Sequence, residues 1–428
     1  MSKKLSRREF LSKSAGAAAA GVILPTIIPS SALGRDGHIA PSERICCGII
    51  GNGLQSGGHR NGLASRRESQ VLAVCDVNMQ TAEKAKGEVE RHGRGECKIY
   101  EDYQELIDRD DIDAVCIVTP DHWHVAQALY ATNRGKHVYC EKPLTLTIEE
   151  GRILSDAVKR NGTMLQVGSQ QRSEWQFRRA AELVRNGYIG EVKEIHTNIG
   201  EFPAPQILPA QEIPSYLNYD KWLGQAPWVP YNFERIKGDY GGGWRRYWDY
   251  GSRKEGDWGA HHFDIIQWAM NKDDSGPTLF APKGYEGAEW RFYQYENGPR
   301  VYVNSGHMTK GEMIRFIGST GEVRVSRGNK LYTEPFTVAQ SALKPGSKVL
   351  HPTQNHMQDW LESIKTGRQP LCTAEIGHRT ATICHINAFV LRLNRPIKWD
   401  PKNEVIIGDE QAKAMQSRSR RAPYFLGA

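Results

Sequence analysis

From residue 45 to about 167 the chain alternates between short, continuously apolar runs and longer stretches in which apolar side chains return every three or four positions. Ile45 to Ile50, Val71 to Cys75, Ala114 to Val118, His137 to Cys140 and Met164 to Val167 read as strands covered on both faces. Thr81 to His92, Tyr103 to Ile107, His124 to Asn133 and Thr147 to Asn161 carry helical spacing between them. Strand–helix alternation at this interval predicts a doubly wound parallel sheet. After Val167 the pattern changes. Arg178 to Asn186 is helical, while Val192 to Ile199, Trp290 to Tyr295, Val301 to Ser305, Ile314 to Gly318 and Glu322 to Val325 read as strands joined by turns such as Ser319-Thr320-Gly321. His378 to Leu393 reads as a helix. The tail from Trp399-Asp400-Pro401 to Arg421-Ala422-Pro423 keeps its aromatic residues and is expected to pack on the body. Periodicity alone makes this second half α+β.

At about 100–200 residues per domain, a chain of 428 suggests two domains behind a leader, at 43–167 and 168–428 after residues 1–34. Hydrophobic residues make up 39% and charged residues 25%, which excludes a disordered chain, a collagen-like repeat and a polytopic membrane protein. The net charge of +7 hints at nucleic acid until it is located. Lys3, Lys4, Arg7, Arg8 and Lys13, against Glu9 alone, sit in the leader, and the nearly balanced body has no Lys/Arg block, so no nucleic-acid partner is expected. In the leader Ser6-Arg7-Arg8-Glu9-Phe10-Leu11 precedes a mildly apolar run from Ala15 to Ile28, broken by Pro25 and too short to span a bilayer. The paired arginines resemble a twin-arginine export signal. That implies the twin-arginine machinery as a partner and a periplasmic or exported destination. The route moves folded proteins, so a cofactor loaded in the cytosol would travel with the chain. Of eight cysteines, Cys46, Cys47, Cys75, Cys116 and Cys140 lie in or beside predicted strands, without disulfide-framework or zinc-site spacing, and read as small buried hydrophobes.

The first strand runs into Gly51-Asn52-Gly53-Leu54-Gln55-Ser56-Gly57-Gly58. In a G-x-G-x-x-G turn the first glycine permits the bend, the second admits backbone N–H groups to a pyrophosphate, and the third lets helix and strand approach. The third position holds Ser56, with Gly57 one residue late; either small residue can serve. Asp76 ends the second strand, where a carboxylate accepts from a ribose 2′-hydroxyl and repels a 2′-phosphate. Val77 and Asn78 supply no cation. Gly51, Asn52, Gly53, Leu54, Gln55 and Asp76 are therefore expected to hold NAD rather than NADP.

Thr119-Pro120-Asp121-His122-Trp123-His124 ends one strand and opens a helix, and Cys140-Glu141-Lys142-Pro143-Leu144 ends the next. Both fall at the carboxyl edge of the sheet, where ligands bind, so Thr119, Pro120, His122, Glu141 and Lys142 are candidate cofactor neighbours. His122 and His124, two apart with no cysteine or carboxylate set at ligand spacing, make a poor metal site, and none is expected. The Glu141-Lys142-Pro143 triplet resembles the signature of the Gfo/Idh/MocA oxidoreductases. The resemblance continues through Gln166 to Arg172, Trp222 to Trp228, Asp257-Trp258-Gly259-Ala260-His261-His262-Phe263-Asp264 and His378 to Asp400. It implies a mostly antiparallel open sheet in the second domain, one face over the site and the other used for a homodimer or homotetramer. It places Lys142 beside the nicotinamide and the substrate hydroxyl, and maps an Asp-x-x-x-His pair onto Asp257 and His261. The residue chemistry agrees. Alcohol oxidation needs a proton acceptor, which an imidazole provides near neutral pH, and a cation near the developing oxyanion. Residues four apart share a helix face, so Asp257 is expected to meet and orient His261. His262 reads as structural.

Aromatic residues crowd one region: Trp222, Trp228, Trp244, Trp248, Trp258 and Trp268, with Tyr231, Tyr240, Tyr247 and Tyr250 among them. They read either as an aromatic core or as a wall against sugar C–H faces, with Arg245, Arg246 and Asp249 supplying polar contacts. Candidate substrate contacts are Arg172, Trp244, Arg245, Tyr247 and His261. The expected activity is hydride transfer between a secondary hydroxyl of a sugar or glycoside, with the 3-position favoured, and tightly held NAD. Two alternatives stay open: an NAD-dependent glycosidase acting by transient oxidation and elimination, and a non-catalytic sugar- or cofactor-binding protein.

Overall fold

The computed structural model of the chain describes residues 39–426 apart from Lys310. The twin-arginine segment expected at 1–34 lies outside these residues. The chain divides at Arg44/Ile45 into two units; of the first, the short 3-10 turn Pro41–Glu43 is described. Everything below concerns the second, from Ile45 onward.

Six strands, β1 (Ile45–Ile50), β2 (Ser69–Cys75), β3 (Lys98–Tyr100), β4 (Ala114–Ile117), β5 (His137–Cys140) and β6 (Leu165–Val167), form a sheet in the order β3-β2-β1-β4-β5-β6. Every pair is parallel. The central β4 is buried at each residue, as its unbroken apolar run requires. Connecting helices are set by local caps: Asn78 accepts from Thr81 N–H to start Met79–Glu90, and Thr147 with Glu150 makes a capping box for Ile148–Asn161. Strand order reverses between β1 and β4, which opens a crevice at their carboxyl ends.

Nine further strands are β7 (Val192–Thr197), β8 (Leu279–Ala281), β9 (Phe292–Gln294), β10 (Arg300–Val303), β11 (Ile314–Gly318), β12 (Glu322–Ser326), β13 (Lys330–Glu334), β14 (Ile397–Asp400) and β15 (Val405–Ile407). Their order is β13-β12-β11-β7-β10-β9-β8-β14-β15. Only β7 and β10 run parallel, so the sheet is mostly antiparallel. The chain is therefore α/β, a doubly wound Rossmann sheet followed by an α+β half. Helices Ala260–Ala269 and Ala374–Leu393 pack on each other, and Ala374–Leu393 also lies against Ile148–Asn161, fastening one half to the other. Phe263, Ile266, Phe280, Tyr293 and Phe316 are fully buried between these helices and the second sheet. The tail packs back as strands β14 and β15. All eight cysteines are free, and all but the half-buried Cys46 are buried; burial pushes the thiols of those seven up, away from thiolate reactivity. Among the described residues no helix is long and apolar enough to cross a membrane.

Candidate functional site

The turn after β1 is shaped by its neighbours. Gly51 has φ +82°, and a Cβ there would stand 2.7 Å from the Thr119 nitrogen, so a side chain would collide with the end of β4. Its N–H donates to Cys75 O at 2.9 Å. Asp76 fixes the same turn from β2: Oδ2 accepts from Asn52 N–H at 2.7 Å and Oδ1 from Asn78 N–H at 2.9 Å. A Cβ on Gly53 would meet nothing within 4 Å, leaving that stretch of backbone open for approach. Ser56 is fully buried at the start of helix Ser56–Ala64. It takes the third-glycine position, and Gly57 is not needed there.

Beside this turn lies a cavity of about 1070 Å³, lined by Gly51, Asn52, Gly53, Leu54, Gln55 and Asp76 and, further along, by Thr119, Pro120, Glu141 and Lys142. Asp257, His261, Trp244 and Arg245 line it too. Lys142 Nζ donates to both the main-chain oxygen and Oδ1 of Asp257, each at 3.0 Å. Lys254 Nζ reaches Asp257 Oδ2 at 3.2 Å, and Arg245 Nε lies 3.9 Å from Oδ1. Burial opposes ionisation of this carboxyl, but Lys142, Arg245 and Lys254 outweigh it and hold it below the usual value.

The expected Asp257–His261 contact does not form. Residues Glu255–Gly259 make a π-helical turn ahead of helix Ala260–Ala269, and the extra residue per turn breaks the four-residue register on which that expectation rested. Asp257 serves the lysines instead. His261 is 7% exposed; its Nδ1 is sealed without a hydrogen-bond partner, and the ring meets the cavity. Burial, then Lys142 and Arg327, pushes its pKa well below the usual imidazole value, so the ring is a neutral base at neutral pH.

Glu141 is buried under the lysine. It accepts from His59 Nε2 at 2.9 Å, Gln170 Nε2 at 2.7 Å and Lys142 N–H at 3.2 Å. Burial disfavours its charge, yet His59, Lys142 and Gln170 bring the carboxyl to about 2. Asp121 behaves oppositely. It opens helix Asp121–Asn133, lines the cavity, is 7% exposed, and burial raises it to about 8 against the pull of Lys142 and Arg245. It is a protonated acid at neutral pH. The motif containing it was visible in the sequence, but nothing in the spacing distinguished Asp121 from its neighbours.

Three expected contacts do not line the cavity. His122 points into the protein, with Nε2 3.0 Å from Trp222 O, and burial lowers it to about 4. Arg172 is buried and holds Asp264 and Asp273 at 2.7 Å each, a structural ion triad. Tyr247 packs against Tyr250 and donates its hydroxyl to Gln206 O at 3.1 Å. The aromatic cluster divides. Tyr231, Tyr247 and Tyr250 join a satellite core with Tyr219, whereas Trp222, Trp244, Trp258 and Tyr240 also face the cavity, joined by Trp123. Arg327 and the tail residues Pro423, Tyr424 and Phe425 line it as well. No motif announces these; they arrive through tertiary packing.

A family model described as "Oxidoreductase family, NAD-binding Rossmann fold" matches residues 45–169, and one described as "Oxidoreductase family, C-terminal alpha/beta domain" matches residues 201–426. Similar proteins include a "Glycosyl hydrolase family 109 protein 1" of Shewanella sp. (strain ANA-3) and an "Alpha-N-acetylgalactosaminidase" of Shewanella oneidensis. Each is 32% identical over 205 residues, 44% of this chain and 44% of the relative, so the match spans less than half the length of these relatives. Among solved structures, an oxidoreductase domain protein from Kribbella flavida aligns with TM-score 0.59 at 18% identity, covering 83% of this chain and 99% of that one. A scyllo-inositol dehydrogenase from Lactobacillus casei with bound NAD(H) and scyllo-inositol aligns with TM-score 0.55 at 20% identity and the same coverage. These structural likenesses establish the fold.

Proposed function

The chain belongs to the Gfo/Idh/MocA oxidoreductase family, with that family's NAD-binding Rossmann domain, and from this premise we propose that it oxidises a secondary hydroxyl of a sugar or glycoside to a ketone, the 3-position of a hexose ring being favoured. The observation that carries the reading is the joint placement of Lys142, Asp257 and His261 on the cavity that begins at the Gly51–Gln55 turn. The residues fit a dinucleotide: the backbone at Gly53 is open for a pyrophosphate, and Asp76, with no cation at Val77 or Asn78, suits a ribose diol. When bound, NAD supplies the hydride acceptor. The chain's own residues do the rest. Lys142 has three N–H donors and spends two on Asp257, keeping one for the substrate oxygen, whose growing negative charge it stabilises. His261, neutral, takes the hydroxyl proton. Asp257 aims the lysine rather than the imidazole. Trp244 and Trp258 offer flat apolar faces for ring C–H groups.

A panel of sugars and 3-keto sugars, read by the absorbance of reduced nicotinamide, tests this; silence across the panel with NAD bound would refute it. The relatives named as glycosyl hydrolases favour one second reading, glycoside cleavage through transient oxidation at the same residues. Cleavage of a chromogenic glycoside with no net change in reduced cofactor would select it. We also propose export through the twin-arginine route with NAD already loaded and retained, and a homo-oligomeric state. Export that survives replacement of Arg7-Arg8 by Lys-Lys would refute the first, and a monomer in light scattering the second.

A further inference from the structure

Several buried or half-buried arginines of this chain are tied to an anion or a carbonyl. Arg172 holds Asp264 and Asp273, Arg60 holds Glu88 at 2.5 Å, and Arg291 holds Glu255 at 2.9 Å. Arg185 and Arg418 end instead on the carbonyls of Trp268 and Trp248. Arg327 has neither. It follows β12 in a tight turn, lines the cavity and sits with its guanidinium carbon 4.7 Å over the Trp258 ring, which in turn lies 5.8 Å from the His261 ring. Its Nε donates to the Gln171 amide oxygen at 3.1 Å, in the amide orientation that lets Gln171 also donate to His261 O at 3.1 Å. Trp175 Nε1 pins the turn through Asn329 Oδ1 at 2.9 Å. Glu174, whose charge acts on Arg327, is occupied by Gln176 Nε2 at 2.7 Å and makes no ion pair with it among the described residues.

A guanidinium partly withdrawn from water without an anion carries a cost, and this partial burial lowers its affinity for the proton. The group is nevertheless held in place by stacking and by its Nε, with both Nη groups left over. That is a preorganised planar fork, which matches a carboxylate through two parallel hydrogen bonds. We propose that Arg327 binds a carboxylate carried by the substrate, so that the cavity takes an acidic sugar such as a hexuronate or a glycoside ending in one. The inference rests on the sugar-oxidation reading for the site but not on its chemical step. A carboxylate on Arg327 anchors one part of the sugar while Lys142 and His261 address a hydroxyl on another. The oxyanion-stabilising role stays with Lys142.

The test uses the NAD-loaded protein and compares binding, by titration calorimetry, of a methyl glucuronide, the methyl ester of the same glucuronide, methyl glucoside and glucose 6-phosphate. The free uronate is expected to bind about tenfold or more tightly than its ester and the glucoside, a difference the size of one charge-assisted bidentate contact. Arg327→Gln is expected to erase that ratio and Arg327→Lys to restore it in part, because lysine returns the charge without the fork. Equal affinity for uronate and ester in the unmodified protein would overturn the proposal with no variant needed. Tighter binding of the phosphate ester would overturn the carboxylate assignment, and equal weakening of acidic and neutral sugars by Arg327→Gln would reduce Arg327 to part of the wall. The uronate preference without reduced nicotinamide from any sugar would sink the redox reading alone. Turnover of neutral sugars without that preference would sink this one alone.

Discussion

In the proposed reaction Lys142 and His261 divide the work on one oxygen, and their loss should divide in the same way. Lys142→Ala removes the cation facing the developing charge and is expected to lower kcat by about 10²–10³. His261→Ala removes the proton acceptor and is expected to cost about 10²–10⁴. Both are read by turnover with NAD content held equal. Asp121 adds a pH dependence. Protonated at neutral pH and half ionised at about 8, it becomes above that a second carboxylate near Asp257 and Lys142, opposing negative charge on the sugar oxygen. Turnover should therefore fall through the pH range above about 8. Asp121→Asn, neutral throughout, should flatten that limb; an unchanged profile would detach Asp121 from the reaction. At this scale the sequence carried residue types well and partners poorly. Lys142, Asp257 and His261 could all be named, but which of the last two touches Lys142 depends on a helical register that a pattern of letters does not specify. Arg327 sits after an ordinary strand, and only packing brings it to His261.

The π-helical turn Glu255–Gly259 and the short turn Gln170–Ser173 set the geometry from two sides. Arg172, in the second of these, was legible as a polar residue at the edge of the site, yet its guanidinium lies in the helix packing, tied to Asp264 on Ala260–Ala269. Arg172→Ala should thus destabilise the protein by about 3–5 kcal/mol, the cost of stranding the buried Asp264 carboxylate, while leaving KM nearly unchanged in molecules that remain folded. Denaturant unfolding beside steady-state kinetics separates the two. The parallel sheet was legible because β1, β4 and β5 are uninterrupted apolar runs between amphipathic helices. Strands β3, β8, β13, β14 and β15 were not. They are three to five residues long, and β13 alternates exposed polar positions that acquire meaning only beside β12.

Across the whole molecule several histidines are buried without charge. His122 is lowered to about 4, and His262 and His385 to about 3, by burial in each case. The folded chain refuses protons that an unfolded one accepts below about 6.5, so this stability is complete above that pH and is lost as the pH falls from about 6.5 toward 4. Glu141, held at about 2, acts in the same direction at lower pH. The melting temperature should accordingly drop steadily as the pH falls from about 6.5 toward 4. Denaturing the purified protein should release close to one NAD(H) per chain if the cofactor is retained, and a supernatant without nicotinamide would remove tight retention.

The indoles of Trp123, Trp222, Trp244 and Trp258 all border the cavity that the Gly51–Gln55 turn begins. Light absorbed by tryptophan can pass to a reduced nicotinamide held that close and emerge as its longer-wavelength emission. The purified protein thus carries its own optical gauge: excitation of its indoles reports when reduced nicotinamide is seated in the cavity.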